Sequence, residues 1–249
     1  MIPDPIIKVN KLTKTFGSFV AVDHITMEVK KAEIFGFLGA NGAGKTTAIK
    51  MLSGLLQPTS GEASVISYDV YNESEKIKAN IGYMSQRFSL YDDLTVIENM
   101  KFYGGIYGLS RDLLKSKTEE IIDYLHIGNF KDKLVKSLPL GWKQKLAFSI
   151  SMLHNPPLIF LDEPTGGVDP ITRREFWELI SETAHNGTTI FVTTHYMDEA
   201  EYCNTVSIMV DGKIKAMGSP SDLKIQYESK DMEGVFISLA RKSQRSNLE

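Results

Sequence analysis

Nine residues, Gly39-Ala40-Asn41-Gly42-Ala43-Gly44-Lys45-Thr46-Thr47, constrain this chain more than any others. They match the pattern G-x-x-x-x-G-K-[ST] at every fixed position. The apolar run Ile34-Phe35-Gly36-Phe37-Leu38 before them reads as a buried strand, and Thr46 to Leu56 after them as a helix. Strand, glycine-rich loop and helix N-terminus in that order make an anion site. Backbone N–H groups of a loop so poor in side chains can converge on phosphate oxygens. The helix adds its own unpaired N–H groups and the positive end of its dipole. In that frame Lys45 brings a full charge to the outer phosphates, and the Thr46 hydroxyl is a ligand for Mg²⁺. An ordinary glycine-rich turn would have no need of the flanking strand and helix.

Composition bounds the rest. A chain of 249 residues holds one or two domains with a real core. Its net charge of −3 offers no general attraction to nucleic acid or anionic lipid, so no nucleic-acid partner is expected. The single cysteine, Cys203, excludes an internal disulfide and suits a reducing compartment. No stretch approaches the ~20 apolar residues of a membrane span. The beginning, Met1-Ile2-Pro3-Asp4-Pro5, lacks a signal-peptide pattern.

Residues 6 to 30 alternate apolar and polar positions in two runs, Ile7 to Thr15 and Val20 to Val29, joined by a turn at Gly17-Ser18. That predicts an antiparallel β unit. From Glu33 strands alternate with helices, as in an α/β sheet. Short strands are expected at Ala63 to Val70, Asn80 to Ser85, Leu158 to Leu161, Thr189 to Thr193, Val206 to Val210 and Lys213 to Ala216. Helices Val96 to Tyr107, Arg111 to Leu125 and Trp142 to Leu153 form a block that reads as an inserted subdomain, about residues 87 to 155. A further helix is expected at Thr172 to His185. The tail, 221 to 249, is polar apart from the cluster Val235-Phe236-Ile237.

Leu158-Ile159-Phe160-Leu161-Asp162-Glu163 is an apolar strand ending in two carboxylates. Neighbours on a strand point opposite ways, but at its exit the chain can turn and bring both toward bound phosphates. Asp162 then fits Mg²⁺, directly or through water, and Glu163 fits the group that polarises an attacking water. Alone, the pair would be an ordinary solvated strand end. His195 closes a further strand, where such folds bind ligands, and could contact the γ-phosphate. Gln86 stands where the helical block begins, and its amide oxygen could join the Mg²⁺ shell.

The order of these features resembles the nucleotide-binding domain of ABC ATPases over about residues 6 to 220. Gly39 to Thr47 resembles the Walker A loop, Gln86 the Q-loop glutamine, Leu158 to Glu163 the Walker B strand with its catalytic glutamate, and His195 the switch histidine. Pro164-Thr165-Gly166-Gly167-Val168-Asp169-Pro170 is similar to the D-loop region. Phe16 matches the aromatic that stacks on adenine, although a ring there could equally pack within the β unit. The resemblance implies a P-loop NTPase core with a mixed, mostly parallel sheet, an N-terminal antiparallel β subdomain and an inserted helical subdomain. It implies ATP and Mg²⁺ as cofactors. Lys45, Glu163 and His195 would be catalytic, Thr46, Gln86 and Asp162 would hold the metal, and Gly141 and Asp169 would join the loop and Phe16 in binding nucleotide.

Two departures stand out. Leu138-Pro139-Leu140-Gly141 occupies the place where the family has Leu-Ser-Gly-Gly, the segment that binds the γ-phosphate of ATP held by the other subunit. Pro139 removes a hydroxyl and an N–H, and Leu140 crowds the approach, while Gly141 and the helix behind it remain. Ala32 replaces the glycine usual in x-Gly-Glu. Trp142 to Leu146, Asp162 to Pro170 and His195-Tyr196-Met197-Asp198-Glu199-Ala200-Glu201 resemble subunits of ABC-2-type exporters. The resemblance therefore implies an ATP-hydrolysing subunit at the inner face of the cell membrane. Its partners would be an integral membrane permease and a second ATP-binding subunit. The alternatives are a non-transport ABC ATPase and a poorly hydrolysing regulatory subunit, the latter suggested by Pro139 and Leu140.

Overall fold

The computed structural model describes residues 4–86, 90–125 and 127–246. The first residues of the segment Met1 to Pro5, and those of the expected helical insertion from 87, lie outside that range. The chain runs β1 (Ile7–Phe16), β2 (Phe19–Val29), β3 (Ile34–Leu38), α1 (Lys45–Leu52), β4 (Ser60–Val65), β5 (Tyr68–Asp69), α2 (Ser74–Asn80) and β6 (Ile81–Met84). There follow α3 (Val96–Ile106), α4 (Arg111–Tyr124) and α5 (Leu140–Ser151). Next come β7 (Leu158–Asp162), α6 (Pro170–His185), β8 (Thr189–Thr194), β9 (Thr205–Val210), β10 (Lys213–Gly218), α7 (Pro220–Gln226) and α8 (Met232–Ser246).

Two sheets organise these elements. One is antiparallel, in the order β2-β1-β4-β5. The other has six strands in the order β10-β9-β3-β8-β7-β6, parallel throughout except where β10 meets β9. Strands covered on both faces read as continuous apolar runs, and every residue of β3 and β7 is buried. Their alternation divides the core. Phe35 and Phe37 of β3 and Phe160 of β7 pack with α1 and the antiparallel sheet. Ile34, Leu38, Ile159 and Leu161 face the other way, onto Phe148 of α5 and Phe176, Trp177 and Ile180 of α6. A third cluster, including Val96, Met100, Ile121, Leu146 and Ile150, holds α3, α4 and α5 together. Thr95 and Glu98 close a reciprocal capping box that starts α3.

The structure differs from the sequence reading in four places. The helix after the loop stops at Leu52, not Leu56, because Gly54 turns the chain at φ 73°. The strand expected over Ala63 to Val70 is two strands, with Ile66 and Ser67 both at positive φ in a two-residue hairpin turn. Asn80 ends the unanticipated helix α2 instead of starting β6. The polar tail carries α7 and α8, and Leu223, Met232, Val235 and Leu239 are buried in the second-face core. No helix among the described residues is long and apolar enough to cross a membrane.

Candidate active site

The loop after β3 wraps back on itself through Ala43 N–H to Ala40 O, 3.1 Å, and is tied to the β9–β10 turn through Gly212 N–H to Ala43 O, 3.1 Å. Helix α1 makes its first backward bond from Ala48 to Gly44 O. The N–H groups of Lys45, Thr46 and Thr47 therefore precede the helical ladder, and Gly44 provides no side-chain cap. Gly44 sits at φ 103°, and a Cβ there would lie 2.3 Å from Ala21 O, so only glycine lets the loop nest against β2.

Lys45 is folded inward and is only 4% exposed. Its Nζ donates to Gly39 O at 2.8 Å and Ala40 O at 3.1 Å, and lies 3.2 Å from Glu163 Oε1. Glu163 is the hub of the site. Its Oε2 accepts from Gln86 Nε2 at 2.9 Å and lies 3.1 Å from His195 Nδ1. Asp162 is buried beside it. Its Oδ1 accepts from Thr193 Oγ1 at 2.7 Å and Thr46 Oγ1 at 3.3 Å. Burial pushes its carboxyl above the usual range, opposed by those two hydroxyls. The ends of β3, β6, β7 and β8 thus bring Lys45, Thr46, Gln86, Asp162, Glu163 and His195 together, as ligand sites of parallel sheets do.

A cavity of about 400 Å³ opens over the loop, lined by Asn41, Gly42, Gly44, Lys45, Thr46 and Thr47 on one side and Gln86 and Glu163 on another. Its aromatic wall is Phe19, which sequence reasoning missed. Phe16 does not line it, though the two rings are cross-strand partners on the hairpin tip. Both are exposed, and Lys14 Nζ lies 5.2 Å from the Phe16 ring centre. The register of that hairpin was the available signal, since residues 16 and 19 flank its two-residue turn.

Gly141 and Asp169 lie apart from this group. They line a second cavity of about 430 Å³, together with Pro139, Leu140 and Trp142, that shares no residue with the first. Asp169 caps α6, accepting from Ile171 N–H and Thr172 N–H at 3.0 Å each and from the Thr172 hydroxyl at 2.6 Å. Those Thr172 bonds hold its carboxyl below the usual range. Pro139 is the N-cap of α5 and offers no side-chain bond, so the Leu140 and Gly141 N–H groups keep no cap. A Cβ at Gly141 would fall 2.5 Å from Thr172 Cγ2, so a side chain there would have to displace Thr172 where α5 meets α6. Ala32 has φ 57°, which explains why glycine is the usual residue there.

The family model described as ABC transporter matches residues 22–166. The probable multidrug ABC transporter ATP-binding protein YbhF of Escherichia coli (strain K12) is 46% identical over 241 residues, covering 95% of this chain but 42% of that protein. The chain therefore spans less than half the length of that relative. The linearmycin resistance ATP-binding protein LnrL of Bacillus subtilis (strain 168) is 34% identical, over 88% of this chain and 70% of that protein. A solved structure of the ATP binding subunit of an ABC transporter superposes with a TM-score of 0.84. It is 26% identical and covers 94% of this chain and 99% of its own.

Proposed function

This chain belongs to the ABC transporter family, as an ATP-binding domain, and from that premise we propose that it is the ATP-hydrolysing motor subunit of an exporter. It would act through a separate integral membrane permease, peripheral to the inner face of the membrane, and with a second ATP-binding subunit. The observation that carries this reading is the convergence of Lys45, Gln86, Asp162, Glu163 and His195 on one loop whose N–H groups precede their helix.

The division of labour follows from the chemistry of each group. The loop N–H groups and the Lys45 ammonium bind the phosphates. Glu163 takes the proton side of an attacking water and orients it toward the γ-phosphorus, and His195 holds Glu163 and would reach the same phosphate. Phe16, with Phe19 across the hairpin, offers π faces to the base.

The donor set fits Mg²⁺. That ion keeps several waters and takes one or two carboxylates besides substrate phosphates. Thr46 Oγ1 and the Asp162 carboxylate already lie within 3.3 Å, and the Gln86 amide oxygen would complete the set. When bound, the ion supplies positive charge to the outer phosphate oxygens. Gly141 and Asp169 would meet the nucleotide of the partner subunit. With Pro139 in place of a hydroxyl, that contact is the weakest part of the machine, so turnover by the chain alone should be slow.

The reading assigns the ATP-binding domain to residues 1–220, with the helical subdomain of about 87–155 as the segment that touches the permease, followed by residues 221–249. The test is nucleotide affinity of the purified chain and of Lys45→Ala, alongside recovery of a membrane protein when the chain is purified from detergent extracts of its source. Loss of affinity in Lys45→Ala, with a co-purifying permease, supports the reading. Unchanged affinity would remove the phosphate-loop assignment. Co-purification with soluble factors alone would remove the transport assignment.

A further inference from the structure

We propose that Thr193, near the end of β8, is a positioning residue that turns Glu163 into the site and ties it to Asp162. The inference rests on the catalytic reading of that carboxylate pair.

Thr193 is fully buried, and its hydroxyl has two partners. It donates to Asp162 Oδ1 at 2.7 Å and accepts the Glu163 N–H at 3.0 Å. The direction of both bonds is fixed. An amide N–H can only donate, so the single hydroxyl proton is left for the carboxylate. The Glu163 N–H also reaches Thr193 O, at 3.1 Å, and Asp162 is the β7 residue paired with Thr193 across the ladder. Threonine at this register position therefore contacts both acidic residues at once.

Glu163 needs that hold. It lies one residue past β7 with φ 50°, in the left-handed region that a side chain enters at a cost. Such a conformation persists only where its surroundings impose it. In a continuing strand Glu163 would point to the opposite face from Asp162. The left-handed turn instead brings its carboxylate back to Lys45, Gln86 and His195. The Thr193 hydroxyl is the side-chain bond on the turn itself. The adjacent Thr194 hydroxyl is used differently, accepting Tyr196 N–H. A buried valine at 193 would fill the same volume and leave the backbone bond, but would release both hydroxyl contacts.

The experiment compares Thr193→Val, Thr193→Ala and Thr193→Ser with the unmodified chain and with Glu163→Gln. Steady-state hydrolysis, affinity for a fluorescent ATP analogue with and without Mg²⁺, and melting temperature are read on each. Val and Ala should lower kcat on the order of tenfold to a hundredfold through misplacement of the reacting geometry, with nucleotide affinity in the absence of Mg²⁺ unchanged. Ser, which keeps the hydroxyl, should recover most of the rate. Ala covers the case in which Val does not fold. Wild-type kcat in the hydroxyl-less variants overturns the inference. So does a Ser variant as impaired as Val, or a fall in metal-free affinity that parallels kcat. Should Glu163→Gln itself hydrolyse ATP normally, the catalytic reading of Glu163 fails, a result separable from the behaviour of Thr193.

Discussion

A carboxylate at the end of a strand can do chemistry only if the backbone turns it toward its neighbours in the site, and Glu163 is turned in that way. Its left-handed φ, its bonds to Lys45, Gln86 and His195 and the Thr193 hydroxyl belong to one arrangement. The identities of Lys45, Thr46, Asp162, Glu163, Gln86 and His195 were legible in the sequence because loop pattern and strand ends constrain them. Thr193 was not. Its part depends on which residue faces which across the β7–β8 ladder, and alternation in one strand does not encode its partner's register. Phe19 was within reach, because it faces Phe16 across the turn at Gly17-Ser18. The two hairpin rings make a prediction at this scale. Phe16→Ala and Phe19→Ala should each weaken ATP and GTP by ~1 kcal/mol, the scale of one aromatic contact, and leave inorganic tripolyphosphate binding unchanged. Calorimetric titration of the three ligands checks it. If Phe19→Ala weakens tripolyphosphate as much as ATP, the ring supports the loop and not the base.

Elements were legible where their period was strong. The parallel strands and α3, α4 and α6 follow apolar patterns that no other structure accommodates as well. The turn at Ile66-Ser67 escaped because it places residues other than glycine or asparagine at positive φ. Helix α8 escaped because its buried stripe, Met232, Val235 and Leu239, is narrow and set in a polar sequence. The contacts of His154 with the end of α3 and with β6 give a prediction about pH. His154, just after α5, stacks on Tyr107 with ring centres 3.8 Å apart, and its Nε2 lies 3.1 Å from Ile81 O. Its Nδ1 is buried without a partner, and burial holds the imidazole below its ordinary 6.5. The neutral ring is the one that fits. Its contribution is complete above the unfolded value of about 6.5 and is lost as pH falls through the lower folded value. Melting temperatures of the unmodified chain and His154→Gln, measured from pH 7.5 to pH 5.5, should converge toward the acid end. A constant gap between them would show that His154 does not titrate on unfolding.

The whole molecule presents two separate cavities that the proposed function would turn toward nucleotide, one over the phosphate-loop motif with its carboxylates and one at the α5–α6 junction with Gly141 and Asp169. Leu140 is 40% exposed and Ile171 73% exposed beside the second, where a serine hydroxyl would otherwise offer a bond to phosphate. A hydrogen bond to a charged group contributes about 1.5–3 kcal/mol, and a symmetric pair of subunits would lack it twice. The chain alone should therefore be a monomer or weak dimer with Mg²⁺-ATP. Pro139→Ser with Leu140→Gly, in a Glu163→Gln background, should strengthen ATP-dependent dimerisation in sedimentation. Tight dimerisation before the signature is restored, and no gain after, would show that Pro139 and Leu140 do not weaken the contact. The claim on which all of this stands is that Glu163 activates water over a loop that binds phosphate without its help. Turnover and ATP affinity of Glu163→Gln, measured on one sample, test it most directly. The substitution keeps the shape of the side chain, removes the charge that polarises water and frees Lys45 from its carboxylate partner. Hydrolysis should disappear while affinity holds or rises; normal hydrolysis, or loss of ATP binding, would contradict the account.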